Sequence, residues 1–268
     1  MGYKIYAIRY GDRDDRLRSQ DFYLGDLHDG PHPMNYYMWA IVGDDRSAYV
    51  VDAGYRPDTA AKRGRNLLCD PLEVLGSLGV DVATQRDVIL THLHYDHMGH
   101  YGAFPKARIW TTDTEMAFWT GRYASRAGYS AIIEEEDILG LVALNFQGRV
   151  QFVDEVTTVA PGITLHPVGG HSPGLQMVRV ETGSGAVLLA SDAAHFYENF
   201  EADRPFTIMH SLVDMYRAFD VMHGLVDTPR NVVPGHDPIT FERYRAASPD
   251  LDGFVVEITA EPSAAPTR

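Results

Sequence analysis

The segment Thr91-His92-Leu93-His94-Tyr95-Asp96-His97-Met98-Gly99 places four side chains able to ligate a metal within six residues, His92 to His97. Neutral imidazole and carboxylate are the usual donors for zinc and its first-row relatives. In a loop leaving a strand, His92 and His94 can point to one side while Asp96 and His97 turn towards a neighbouring position. Three more turns each present one such group: Gly170-His171-Ser172-Pro173-Gly174, Ser191-Asp192-Ala193 and Pro234-Gly235-His236-Asp237. Each follows an apolar stretch and is flanked by small residues. The chemistry on offer is hydrolysis. A bound metal lowers the pKa of water from about 15.7 toward about 7, and two ions roughly 3.5–4 Å apart can share a hydroxide. One ion then polarises a carbonyl and the other stabilises the leaving oxygen, so no Ser or Cys nucleophile is required. Ser172 and Ser191 read as turn residues, and Cys69 is remote from the cluster in sequence.

These groups must be held by regular elements. Lys4–Arg9, Tyr36–Val42 and Ala48–Val51 read as strands, with Gly43-Asp-Asp-Arg-Ser47 as the turn between the last two. Asp70-Pro71 reads as an N-cap followed by Pro in the first helical position. Leu72, Leu75 and Leu78 recur at helical spacing until Gly79. Val88–Leu90 is a short buried strand ending at the histidines, and Asp113–Trp119 reads as a helix followed by an irregular, aromatic-rich stretch to about Asp137. Gly162–Pro167, Gln176–Glu181 and Ala186–Ala190 are strands in the second half. A helix from about Ser211 to Leu225 carries Leu212, Tyr216, Phe219 and Met222 on one face, and Asn231–Val233 is a last short strand. The tail from about Thr259 reads as loose. With no linker-like stretch, a single domain over 1–268 is expected: α/β, with two packed sheets and outer helices.

The bulk numbers exclude several classes of function. The 268 residues are 45% hydrophobic and 22% charged, enough to bury a sizeable core. A net charge of −14 argues against a nucleic-acid partner. Arg13, Arg16 and Arg18 alternate with Asp12, Asp14 and Asp15 and read as a solvated mixed-charge loop. No apolar run approaches the roughly 20 residues needed to cross a bilayer, and no secretory signal is visible. One cysteine fits a reducing compartment, so the expected location is cytoplasmic. The expected partner is a small-molecule substrate, with neither nucleic acid nor membrane; oligomeric state is not legible.

The ordered set H-x-H-x-D-H, lone His, lone Asp, lone His resembles the metallo-β-lactamase superfamily over nearly the whole chain, from Tyr36 through the last helix. The resemblance implies an αββα sandwich of two mixed sheets flanked by helices. It also implies two divalent ions, Zn2+ first with Fe, Mn or Co as alternatives. His92, His94 and His171 would bind the first ion, and Asp96, His97 and His236 the second. Asp192 would bridge them together with a water or hydroxide. Asp52, in Val51-Asp-Ala-Gly54, matches a position that supports the ligand loop from behind.

Within the superfamily the chain looks most like the lactonases typified by N-acyl-homoserine lactone hydrolases. The shared features are H-x-H-x-D-H-x-G followed by Tyr101-Gly-Ala-Phe104, Ser191-Asp-Ala193 with Glu198-Asn-Phe200, and Pro234-Gly-His-Asp237. A bridging hydroxide would attack the lactone carbonyl, with Asp96 orienting or shuttling the proton. The chain departs from that pattern at His195, where those enzymes carry a substrate-binding tyrosine, which makes His195 a catalytic candidate and Tyr197 a substitute phenol. Leu175 replaces a second His that is not normally a ligand. His100 stands where small residues are common and reads as a surface or supporting residue. His28, His32, His166, His210 and His223 lack partner spacing and read as structural or solvated. Phe118, Trp119, Tyr123 and Tyr129, with Met34, Tyr36, Tyr37 and Trp39, are candidates to roof an apolar pocket. The alternatives are a superfamily hydrolase of thioesters, esters or amides, a mononuclear iron oxygenase, and a non-catalytic metal-binding protein.

Overall fold

The computed structural model describes residues 2–260; the end of the tail expected from Thr259 lies outside the described residues. Its strands are β1 (Tyr3–Arg13), β2 (Met34–Gly43), β3 (Ala48–Val51), β4 (Asn66–Leu67), β5 (Asp87–Ile89), β6 (Arg108–Thr112) and β7 (Val150–Val153), then β8 (Thr157–Ala160), β9 (Ile163–Pro167), β10 (Gln176–Thr182), β11 (Gly185–Ser191), β12 (Val232–Pro234), β13 (Arg245–Ala246) and β14 (Val255–Ile258). Hydrogen bonding runs in the order β14-β1-β2-β3-β5-β6-β7 for one sheet and β8-β9-β10-β11-β12 for the other. A single register pair, Tyr3 with Thr182, joins the two.

Strand period explains the layers. Successive side chains point to opposite faces, and in β2 Tyr37, Trp39 and Ile41 belong to one apolar cluster while Tyr36, Met38 and Ala40 belong to another. The first set meets Val178, Val180, Val187 and Leu189 of the second sheet, forming the core between the sheets. The other face of the first sheet is covered by the helices Pro57–Arg63, Pro71–Ser77, Asp113–Trp119 and Glu135–Phe146, through Ala60, Leu75, Met116 and Leu141. On the outer face of the second sheet, Met177, Leu188 and Val232 pack against Phe200, Met215, Phe219 and Met222 of the helices Tyr197–Glu201 and Leu212–Leu225. This is the four-layer sandwich that the resemblance implied.

Local signals held where the chemistry was local. Asp70 accepts from the Leu72 N–H at 2.8 Å and starts its helix, and Gly79 leaves it at φ +81°. The stretch from Thr120 to Glu134 is irregular as expected, apart from the short helix Ala127–Ser130, and the helix Glu135–Phe146 and the strand Val150–Val153 fill the part that followed, where no element was expected. The helix presents Leu139 and Phe146 to solvent, which blurs its apolar stripe, while Glu135, Glu136 and Asp137 favour its N-terminus. On the helix Leu212–Leu225 the buried face is Met215, Ala218, Phe219 and Met222, with Tyr216 37% exposed rather than inward.

The loop carrying the histidines is locked to the end of β3 by the backbone. Ala53 N–H donates to His97 O at 2.7 Å, Gly99 N–H to Gly54 O at 2.6 Å and His100 N–H to Ala53 O at 2.9 Å. A Cβ on Gly99 would stand 2.6 Å from Gly54 O and 2.9 Å from Tyr55 Cα, both backbone atoms. Gly99→Ala is therefore expected to destabilise the protein by about 1–3 kcal/mol, read as a lower thermal midpoint. An unchanged midpoint contradicts this close approach.

Candidate metal centre

The sequence cluster follows β5, and the distant turns arrive at the ends of strands in the second sheet. Asp192 follows β11, where Ser191 takes φ +46°, and His236 follows β12. Asp52, at φ +60°, ends β3. Non-glycine residues at positive φ are strained and persist only where their surroundings hold them. Gly235 permits the approach of the last two turns, because a Cβ there would stand 2.3 Å from Asp192 Oδ1.

All seven expected ligands converge. His94 Nδ1 lies 3.0 Å from His92 Nε2 and 2.8 Å from His171 Nε2. Asp192 Oδ2 is 3.2 Å from His171 Nε2 and 3.8 Å from His92 Nε2; its Oδ1 is 3.1 Å from His236 Nε2 and 3.4 Å from His97 Nε2. Asp96 Oδ2 stands 3.7 Å from His97 Nε2 and 3.8 Å from His236 Nε2. The side chains form two half-sites, His92/His94/His171 and Asp96/His97/His236, with the Asp192 carboxylate between them.

The rings are aimed from behind. His97 Nδ1 donates to Asp52 Oδ2, His171 Nδ1 to Ile208 O and His236 Nδ1 to Asn35 O, each at 2.8 Å. His92 Nδ1 lies 3.1 Å from Thr91 Oγ1, itself held by Asp52. With Nδ1–H committed, each Nε2 turns a lone pair inward. Burial holds His92 and His94 well below the usual imidazole range and His171 down at about 3, which keeps them in the neutral, ligating form. For His97 and His236 burial opposes charge, yet Asp192 and neighbouring carboxylates outweigh it and raise both. Burial likewise opposes ionisation of Asp192, but His236, His97, His195 and His171 hold it well below the carboxylate range.

The fit to divalent ions rests on orphaned atoms. His97 Nε2 and Asp192 Oδ1 are buried without a hydrogen-bond partner, a loss of about 1–3 kcal/mol for each such atom. Bonds of roughly 2.0–2.1 Å in a tetrahedron would put ligand atoms about 3.4 Å apart, close to the separations observed. The residues present fit two divalent metal ions.

His195 is drawn into the site. Its ring stacks on Phe206 at 3.6 Å, and Nε2 donates to Asp192 Oδ2 at 3.0 Å. Burial lowers it to about 4. Tyr197 is not a substitute phenol: its ring lies in the outer core under Arg243. The phenols beside the ligands are Tyr36 and Tyr95. Leu175 is core, and His100 Nε2 donates to Tyr55 O at 3.1 Å. His210 is exposed, as its reading as structural or solvated expected, and with Trp119 and Tyr129 it borders a cavity of about 260 Å³ that reaches His94 and His171. Of the other aromatic candidates, Met34 and Tyr36 line a smaller cavity over the cluster, Tyr37 and Trp39 are inter-sheet core, and Tyr123 is exposed. Phe118 packs against Trp119, Tyr129 and His210 behind the apolar wall.

Glu115 was not foreseen. Fully buried, it accepts from Leu93 N–H at 3.0 Å, Gly174 N–H at 2.7 Å and Trp119 Nε1 at 2.7 Å, tying the His92/His94 loop to the His171 loop. Burial outweighs these donors and raises it. An acid in the first turn of a helix carries no signal of this role, because a solvated glutamate looks the same in sequence.

A family model described as the metallo-beta-lactamase superfamily matches residues 33–236. An N-acyl homoserine lactonase of Bacillus thuringiensis is 33% identical over 139 residues, so the match spans 50% of this chain and 49% of that relative. The N-acyl homoserine lactonase AttM of Rhizobium johnstonii is 32% identical over 263 residues, 91% of this chain and 97% of its own. A solved N-acyl homoserine lactone hydrolase, with N-hexanoyl-L-homoserine at its catalytic metal center, superposes with a TM-score of 0.73 at 22% identity, covering 90% of this chain and 96% of that one.

Because Asp52 aims His97 and braces Thr91, Asp52→Ala is expected to weaken retention of metal by about 10–100-fold. Chelator competition measures this, and retention equal to wild type refutes the bracing role.

Proposed function

The chain belongs to the metallo-β-lactamase superfamily, and on that premise we propose that it is a dimetal lactonase, opening a lactone ring by hydrolysis. One observation carries the reading: the buried Asp192 carboxylate turns Oδ2 towards His92 and His171, and Oδ1 towards His97 and His236. We assign His92, His94 and His171 to one ion, Asp96, His97 and His236 to the other, and Asp192 to both. Zn2+ suits this nitrogen and oxygen donor set. Fe, Mn and Co remain the alternatives, because availability as well as ligand type selects among them. Such ions, when bound, polarise a carbonyl and make water nucleophilic near neutral pH.

The chain's own groups position and move the rest. Water adds to the lactone carbonyl carbon, the ring carbon–oxygen bond breaks, and the departing ring oxygen takes up a proton to give a hydroxy acid. Asp96 forms part of the cavity wall over the cluster, where it can accept the water's proton and return it to the ring oxygen. His195, fixed by Phe206, holds Asp192 through Nε2–H. The cavity of about 260 Å³, lined by Trp119, Tyr129, Ile132, Ile208 and Met209, suits an acyl chain. The small-molecule substrate is thus a lactone with an apolar substituent, as the names of the relatives favour. A cytoplasmic location agrees with the unpaired Cys69; among the described residues no helix is long and apolar enough to cross a membrane.

Metal-loaded protein is expected to open acyl lactones, with loss of activity on chelation and recovery with Zn2+. Mass spectrometry would show the addition of water. A panel in which only thioesters or amides react overturns the assignment. His195→Phe is expected to lower kcat by about 10–100-fold with fold retained, whereas His195→Tyr keeps most of the rate. An unchanged kcat in the Phe variant removes His195 from the machinery.

A further inference from the structure

The cavity over the ligand cluster, about 100 Å³, carries four arginines at its mouth: Arg13, Arg16, Arg63 and Arg65. This is unexpected in a chain of net charge −14. The only acids lining it, Asp96 and Asp192, belong to the metal ligands. Three of the arginines have carboxylates of their own. Arg16 pairs with the buried Asp21. Arg63 donates to Glu134 at 2.7 Å and to the carbonyls of Ala131 and Ile133, with its guanidinium 4.0 Å above the Tyr95 ring. Arg13 pairs with Asp15, whose side chain is 66% exposed.

Arg65 has none. Its Nε donates to the Tyr95 hydroxyl at 3.1 Å and its Nη1 to Arg63 O at 2.8 Å. Among the described residues it forms no ion pair, and its Nη2 has no hydrogen-bond partner. A half-buried guanidinium fixed at two of its nitrogens, with the rest of its edge turned to a cavity, is preorganised for a planar anion. Asp96 acts on it through space but forms no ion pair with it, since that carboxylate is directed at His97 and His236.

We propose that Arg65, with Arg13 at the same mouth, is a specificity-determining anion subsite, and that the substrate is a lactone bearing a carboxylate. The inference rests on the lactonase reading and narrows it. The two cavities share His94, Ile132, His171 and Ile208, so they meet over the ligands. The apolar arm takes the uncharged substituent, and the carboxylate lies on the arginine side of the scissile bond. The positive charge of these arginines also draws an anionic substrate out of solution towards an otherwise repellent protein.

The test compares two ring-matched substrates, γ-butyrolactone-γ-carboxylate and its carboxamide, with metal-loaded wild type, Arg65→Gln, Arg65→Lys and Arg13→Gln. Wild type is expected to favour the carboxylate by about tenfold or more in kcat/KM, with the preference shrinking as salt rises. Arg65→Gln raises KM for the carboxylate by about tenfold and leaves the carboxamide nearly unchanged. Arg65→Lys restores part of the preference, and Arg13→Gln loses less than Arg65→Gln. Equal kcat/KM for the two substrates in wild type overturns the proposal while leaving the lactonase standing. So does an equal loss on both substrates in Arg65→Gln, which marks a structural arginine. If neither of these lactones opens while acyl lactones do, this inference falls and the lactonase stands; if no lactone of either kind opens, both fall.

Discussion

Asp192 is 2% exposed and is ringed by imidazoles from four separate stretches of chain. A carboxylate so far from water is stable only if its charge is met on every side. Its backbone is strained one residue earlier, at Ser191, and Gly235 gives up a side chain to make room for it. The sandwich thus concentrates charge, strain and steric sacrifice at one point, the place where the two sheets open at their strand ends. The rest of the site follows from keeping this anion balanced.

Support reaches outward in layers of hydrogen bonds. Asp52 holds His97 and the Thr91 hydroxyl; Glu115 holds the backbone of both ligand loops; carbonyls of Asn35 and Ile208 fix the remaining rings. Two of these groups are themselves buried acids whose pKa burial raises. They remain useful because neutral N–H and hydroxyl donors surround them. Rings fixed this way spend little entropy on taking up ions, which is what a preorganised centre requires.

The seven candidate ligands were legible because metal binding demands particular side chains at particular strand ends, and those demands leave a pattern in the chain. The strands and the Asp70 cap were legible for a similar reason: period and capping are local. What was hidden depends on where distant surfaces meet. Glu115 and Arg65 look like ordinary solvated charges until the loops they touch are brought together. Arg13 and Arg16, which read as part of a solvated loop, reach the mouth of the site, while Arg18 pairs with Asp26 and Glu198. Tyr197 lies close to Asp192 in sequence, yet the turn of its helix sends it into the core and leaves His195 inward. The helix Glu135–Phe146 escaped notice because its exposed Leu139 and Phe146 spoil the one-sided pattern that a sequence reading relies on.

The two half-sites draw their groups from both halves of the chain. His92, His94, Asp96 and His97 come from the loop beyond β5, and His171, Asp192 and His236 from the second sheet. Among the described residues the strand ladders of those sheets are joined by a single register pair at Tyr3 and Thr182, with further hydrogen bonds at the strand ends, such as Gln176 N–H to Thr91 O and Asn35 N–H to His236 O. Neither half alone can assemble either complete half-site, so any ions this donor set takes up would await their docking. Occupancy by metal would then serve as a molecular receipt for finished folding, since a chain with its halves apart presents only part of each donor set.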